Sequence, residues 1–103
     1  MRKITEVIAK ALKNNINIRI GNSVTMNGEV FLHGNKIAKI EDGALLMSLA
    51  GWNTQTTRER LNGIADVFGS KERFRKKGDS ALIISPWGKR EIRTDSWYCI
   101  GYM

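Results

Sequence analysis

Three two-residue turn signals constrain this chain more than any other feature. Asn27-Gly28, Gly34-Asn35 and Asp42-Gly43 fall at nearly even spacing between short apolar segments. Asn-Gly and Asp-Gly suit type I′ turns, in which both central residues need positive φ, whereas Gly-Asn suits type II′, with glycine first. Between the turns, Val30 and Leu32 alternate with Glu29, Phe31 and His33; Ile37 and Ile40 carry the next segment, and Ala44 to Leu49 is almost continuously apolar. Short strand-like runs joined this tightly predict an antiparallel meander of three or four strands. Hairpins so tight leave no room for a large active-site loop.

Helical periodicity flanks the meander. Ile4, Val7, Ile8, Ala11 and Leu12 share one face of a helix over residues 3–13, with Asn14-Asn15 able to end it. The period then drops to two at Ile16, Ile18 and Ile20, the pattern of a half-buried strand, and Gly21-Asn22 follows as a turn. A second helix is expected from about Thr54 or Thr57 to Phe68. Thr56 and Glu59 have capping-box spacing. Leu61, Ile64, Ala65 and Phe68 form its apolar face, and Gly69 is a plausible stop. At 100° per residue, Arg58 and Arg60 lie on opposite flanks of that face, while Glu59, Asn62, Gly63 and Asp66 point outward. Residues 71–103 return to strand character, with turns at Gly78-Asp79 and Ser85-Pro86-Trp87-Gly88. The expected architecture is a single α+β domain over 1–103: N-terminal helix, antiparallel meander, second helix and C-terminal antiparallel strands, with the helices packed on the sheet.

A chain of 103 residues buries enough surface for one modest core without metal or disulfide support. The sole cysteine, Cys99, lies in an apolar and aromatic setting and is expected to be a buried, inert thiol. No apolar run is long enough to span a bilayer, and the N-terminal stretch lacks the pattern of a signal peptide, so a soluble intracellular protein is expected. The net charge of +7 and a pI near 9.9 favour anionic partners.

The order of motifs resembles a group of small accessory proteins encoded by tailed bacteriophages. The turn Leu32-His33-Gly34-Asn35 is followed by Ile37-Ala38-Lys39 and Asp42-Gly43. Next come Gly51-Trp52 and the helix start Thr56-Thr57-Arg58-Glu59-Arg60-Leu61-Asn62. The likeness covers about residues 20–63 and loosens after Gly69. There Lys76-Lys77-Gly78 is present, but Ala81 to Ser85 intervenes before Trp97-Tyr98. The resemblance implies the cytoplasm of an infected bacterial host as the setting, and no mechanism.

No residue set points to catalysis or to a cofactor. One histidine, His33, and one cysteine cannot make a closed zinc site of the usual type. A phosphate loop and a nucleophile elbow are both absent from the sequence. Glu41-Asp42 is a carboxylate pair whose members point apart on a strand, and Asp42 is explained by its turn. What remains is a binding surface. Lys71, Arg73, Arg75, Lys76 and Lys77 cluster, and in an extended chain Phe74 anchors the opposite face. Arg58 and Arg60 are candidate neighbours, and Trp87 at its turn is a candidate base platform. Trp52 and Trp97 are expected to be core or corner residues. The expected function is therefore non-catalytic binding of nucleic acid, or of a host complex bound to it. The alternatives are a modulator of a host protein, such as a defence or transcription factor, and a small virion or assembly component. The bland alternative for the basic cluster is an edge strand protected by its charge.

Overall fold

The computed structural model describes residues 2–102. Helix α1 (Lys3–Lys13) leads into strands β1 (Ile18–Ile20), β2 (Ser23–Met26), β3 (Glu29–Leu32), β4 (Asn35–Glu41) and β5 (Ala44–Met47). Helix α2 (Gln55–Val67) follows, and then β6 (Arg73–Lys77), β7 (Ser80–Ser85), β8 (Gly88–Ile92) and β9 (Tyr98–Tyr102). The fold is α+β, as the periodicities predict, but the strands divide between two sheets. One has six strands in the order β1-β2-β3-β4-β5-β9, and the other has three in the order β6-β7-β8. Every pairing is antiparallel.

Turn chemistry lays out the meander. Asn27 and Gly28 have φ of 52° and 78°, and Asp42 and Gly43 have 51° and 77°, as type I′ demands. The middle turn departs from expectation. Leu32 pairs with Asn35, so the central residues are His33 and Gly34, at φ 52° and 80°. The turn is therefore also type I′ and lies one residue earlier than the Gly-Asn reading, because Asn35 is already the first residue of β4.

Both helices end on the same device. Asn15 has φ of 55°, with Ile16 N–H donating to Ala11 C=O and Asn15 N–H to Leu12 C=O. Gly69 repeats it at φ 78°, with Ser70 N–H to Ala65 C=O and Gly69 N–H to Asp66 C=O. These paired bonds satisfy carbonyls that the helix leaves orphaned. Using Ile16 in the first cap exposes its side chain, so β1 starts at Ile18 rather than at Ile16.

One core joins both helices to both sheets. Ile8 and Leu12 of α1 and Leu61 and Ile64 of α2 meet Val30, Ile37, Leu45 and Met47 of the large sheet. Phe74, Ala81, Ile83 and Ile92 bring the inner face of the small sheet into the same cluster, and Ile100 closes it from β9. Asn62 of α2 ties the small sheet on directly. Its Nδ2 donates to Phe74 C=O at 3.1 Å and its Oδ1 accepts from Phe74 N–H at 2.7 Å, so a side-chain amide stands in for a neighbouring strand at the edge of β6.

Several burial expectations are corrected. Cys99 is exposed, because β9 turns Ile100 inward and its neighbours on either side away from the core. Trp52 is 58% exposed instead of filling a core corner. Ala50 and Gly51, at φ 53° and 85°, swing the chain outward just before it. Gly63 is buried, not on the outward side of α2. The N-cap of α2 is Thr54, whose Oγ1 accepts from Thr57 N–H at 3.2 Å. The helix thus begins two residues before the Thr56–Glu59 box, and Glu59 is left free to reach α1.

Candidate functional site

Charge is distributed unevenly along the chain. Residues 71–93 hold eight of the 17 Lys and Arg residues but only three of the ten carboxylates. The register of the small sheet explains where the cations go. Arg73, Arg75 and Lys77 of β6 stand opposite Ile84, Leu82 and Ser80 of β7, and Ile84 and Leu82 stand opposite Lys89 and Glu91 of β8. Directly paired residues project to the same side. One face therefore carries a central apolar strip flanked by Arg73, Arg75 and Lys77 on one side and by Lys89 and Glu91 on the other, while Phe74, Ala81, Ile83 and Ile92 occupy the opposite face, inside the core. The expected alternation holds over Arg73–Lys77, with Phe74 as the inward anchor at 1% exposure, whereas Lys71 precedes the strand.

Arg58 joins this face and Arg60 does not. A shallow groove of about 430 Å³ runs between α2 and β6, lined by Gln55, Arg58, Asn62 and Asp66 on one side and Arg73, Phe74 and Arg75 on the other. Arg58 is oriented by Asn53, its Nη1 donating to the backbone oxygen at 2.9 Å and to Oδ1 at 2.6 Å. Arg60, by contrast, is buried. Its Nε donates to Ser23 Oγ at 3.1 Å and its Nη1 to Thr5 Oγ1 at 2.7 Å, and it pairs with Glu59. The flank position holds, but the side chain turns into the interior instead of to solvent. The aliphatic stem of Arg60 packs beside Leu61 and Ile64 on the buried arc, and its head finds hydroxyls on α1 and β2. Arg60 is thereby removed from the accessible candidates.

The remaining cations differ in how free they are. Arg73 pairs with Asp66 at 2.9 Å and also donates to the Ser70 and Glu72 carbonyls. Arg90 lies 3.9 Å from Glu72 and 5.4 Å from the Tyr98 ring. Among the described residues, no carboxylate pairs with Arg58, Lys71, Arg75, Lys76, Lys77 or Lys89. Trp87 is 84% exposed at the β7–β8 turn, beside Glu72, Lys89 and Arg90. Trp97 is partly covered by Lys39, whose Nζ sits 4.7 Å from its ring. Sequence reasoning missed Lys89. The Pro86-Trp87 turn was the available signal, because a two-residue loop there sets Lys89 across from Ile84.

A second concavity lies on the other side of the first turn of α2. It has a volume of about 480 Å³ and brings the Leu32–Asn35 turn against Trp52, Thr54, Thr56 and Thr57. The two stretches most prominent in the sequence thus meet at one place. Among the described residues, no group of three or more His, Cys, Asp and Glu is arranged to hold a metal ion, and no helix is long and apolar enough to cross a membrane.

The fold is that of a small α+β protein whose three-stranded sheet presents Arg73, Arg75, Lys77 and Lys89 on its outer side. Over residues 1–102 the chain matches the family model described as Kyanoviridae Gp96 protein, and it belongs to that family. It is accordingly a phage protein, of a cyanophage family, in keeping with the resemblance drawn from its motifs. Neither a curated protein nor a solved structure matches it.

Proposed function

We propose that this phage protein is a non-catalytic nucleic-acid binder acting in the infected cell, which grips phosphates through the outer face of the β6–β8 sheet and the adjoining groove of α2. The observation that carries the reading is the set of cations on that face without carboxylate partners: Arg75, Lys77 and Lys89, with Arg58 across the groove and Lys76 exposed at the end of β6 on the opposite side. A surface that merely kept the protein soluble would gain from interspersed charges of both signs. Concentrated cations instead release counterions from a polyanion, which gives affinity that is sequence-tolerant and salt-dependent. The apolar strip of Leu82 and Ile84 between the cations suits bases or sugars better than a fully hydrated phosphate surface would.

The edge-protection account of the cluster is less economical. The Phe74 position of the β6 edge is already occupied by Asn62.

The test uses Arg75→Glu with Lys77→Glu, two positions whose exposed side chains hold no ion pair. Fluorescence anisotropy with labelled DNA and RNA at low salt is expected to show affinity falling by about tenfold or more, and the slope of log affinity against log salt shrinking by about one unit per lost phosphate contact. Arg19→Glu on β1, in the other sheet, is expected to leave both unchanged. A loss in Arg19→Glu of about half that in the double variant, in proportion to the charge changed, would mean that only net charge matters and would remove the proposed face.

A further inference from the structure

The concavity behind the first turn of α2 has a construction of its own. Its floor is apolar and sealed: Leu32, Ile37 and Leu49 are each at most 4% exposed. Its wall is Trp52, 58% exposed. His33, Asn35 and Thr56, none of them buried, also line it and bring a ring, an amide and a hydroxyl to its surroundings. A volume of about 480 Å³ lies within the range of small-ligand pockets.

Trp52 is held over this pocket by an unfavourable backbone. Ala50 bears a side chain yet sits at φ 53°, in the left-handed region, and Gly51 follows at 85°. The turn is locked by Gly51 N–H donating to Thr94 C=O at 2.7 Å and Trp52 N–H to Leu49 C=O at 2.8 Å. Backbone in sparsely populated regions persists where the surroundings over-determine it, and such places gather at ligand sites. Here that backbone holds an indole in solvent beside a sealed apolar floor, although the floor would gain from an indole turned inward.

These polar groups select among possible occupants. An aliphatic group would fill the floor but leave the amide and hydroxyl without use. A planar heteroaromatic ring presents donors and acceptors along its edge and a face for Trp52. The basic groove adjoins the pocket through the next residue in the chain, since Asn53 holds the guanidinium of Arg58. A phosphate at Arg58 and a base at Trp52 can therefore belong to one nucleotide chain.

We infer that this pocket takes one unstacked nucleobase of a single strand whose phosphates follow the basic groove; the inference rests on the nucleic-acid reading above. A paired base cannot enter, because its edge and faces are occupied within the duplex.

The experiment uses the full chain carrying Trp87→Phe and Trp97→Phe, which leaves Trp52 as the sole indole of the three. Its emission is titrated with a single-stranded oligonucleotide, with the same strand made abasic, with the duplex and with mononucleotides, while anisotropy of the labelled strands reports binding independently. The intact strand is expected to quench Trp52 and to bind about tenfold more tightly than the abasic strand, as loss of one stacked base implies. Abasic strand and duplex are expected to bind without quenching. Trp52→Ala, at a half-exposed position, is expected to reduce affinity for the intact strand to that for the abasic one. Intact and abasic strands that bind equally, with emission unchanged, would overturn the pocket assignment and leave the basic face standing. Quenching by mononucleotides without strand binding would make the ligand a free nucleotide and overturn the single-strand assignment. Failure of every strand to bind at low salt would remove the underlying reading and this inference with it.

Discussion

Arg60 carries a charge into the interior, and such a charge persists only with partners. Ser23, Thr5 and Glu59 supply them, from β2, α1 and α2 itself. Removing the guanidinium would strand two buried hydroxyls and uncouple the two helices. Arg60→Ala is expected to lower unfolding free energy by about 3 kcal/mol, read from urea denaturation. Arg60→Met, which keeps the stem and fills the volume, is expected to lose distinctly less. Burial of Glu59 opposes its ionisation. The hydrogen bonds from the Thr5 hydroxyl and the Arg2 backbone N–H, together with the charge of Arg60, outweigh that and hold its carboxyl below the usual range. A carboxylate whose folded pKa is depressed stabilises the fold above its unfolded pKa of about 4.3, and that contribution fades as pH falls through the folded value. Glu59→Gln is therefore expected to destabilise the protein at pH 7 and to flatten the loss of stability on acidification, as measured by denaturation across pH 3 to 7. Sequence spacing alone could not have found this cluster. It placed Arg60 beside the apolar face correctly in angle, but the partners that draw the head inward lie 37 and 55 residues away. Thr5 is the same case: it is a polar residue that sits fully buried because a carboxylate and a guanidinium from α2 meet it there.

At the scale of elements, local chemistry was the most legible. Asn27-Gly28 and Asp42-Gly43 name their own turn type because few residues tolerate two positive φ values in succession. His33-Gly34 was read one residue late, since Gly-Asn is also a good turn pair and only the pairing of Leu32 with Asn35 decides between them. The sequence leaves the start of α2 between Thr54 and Thr57, and Thr54 is the cap, while the Thr56–Glu59 capping box is not used. Thr54, Thr56 and Thr57 all offer a capping hydroxyl, and it is the extended backbone of Thr54 that makes it the cap. Division of the strands into two sheets was not legible at all, because β9 joins β5 only after the whole of β6–β8 has been inserted between them in sequence. The amide of Asn62 holds that inserted sheet to α2. Asn62→Ala, which loses both hydrogen bonds to Phe74, is expected to cost about 1–3 kcal/mol in urea denaturation. It would also leave the β6 edge open, so light scattering is expected to show concentration-dependent association that the parent protein lacks.

For the whole molecule, the division of charge matters more than its total. The six-stranded sheet with its helices forms the larger part of the core, and the small sheet adds one inner face to that core while presenting its other face, rich in cations, to solvent. The cluster at 71–77 and its alternation were visible in the sequence. The addition of Lys89 and Arg58, and the loss of Arg60, depended on strand register and helix packing. The pocket between Trp52 and the His33 turn was invisible for the same reason, although both of its stretches stood out along the chain. In the proposed function, the cations of the β6–β8 sheet hold a polyanion by its phosphates. The most direct test is the affinity of the unaltered protein for single-stranded DNA and RNA, followed by anisotropy over a series of salt concentrations. Tight binding is expected at low salt, with a linear fall of log affinity with log salt and a slope of about −0.7 for each of several phosphates contacted. No binding at the lowest salt, or binding indifferent to salt, would contradict the proposed function.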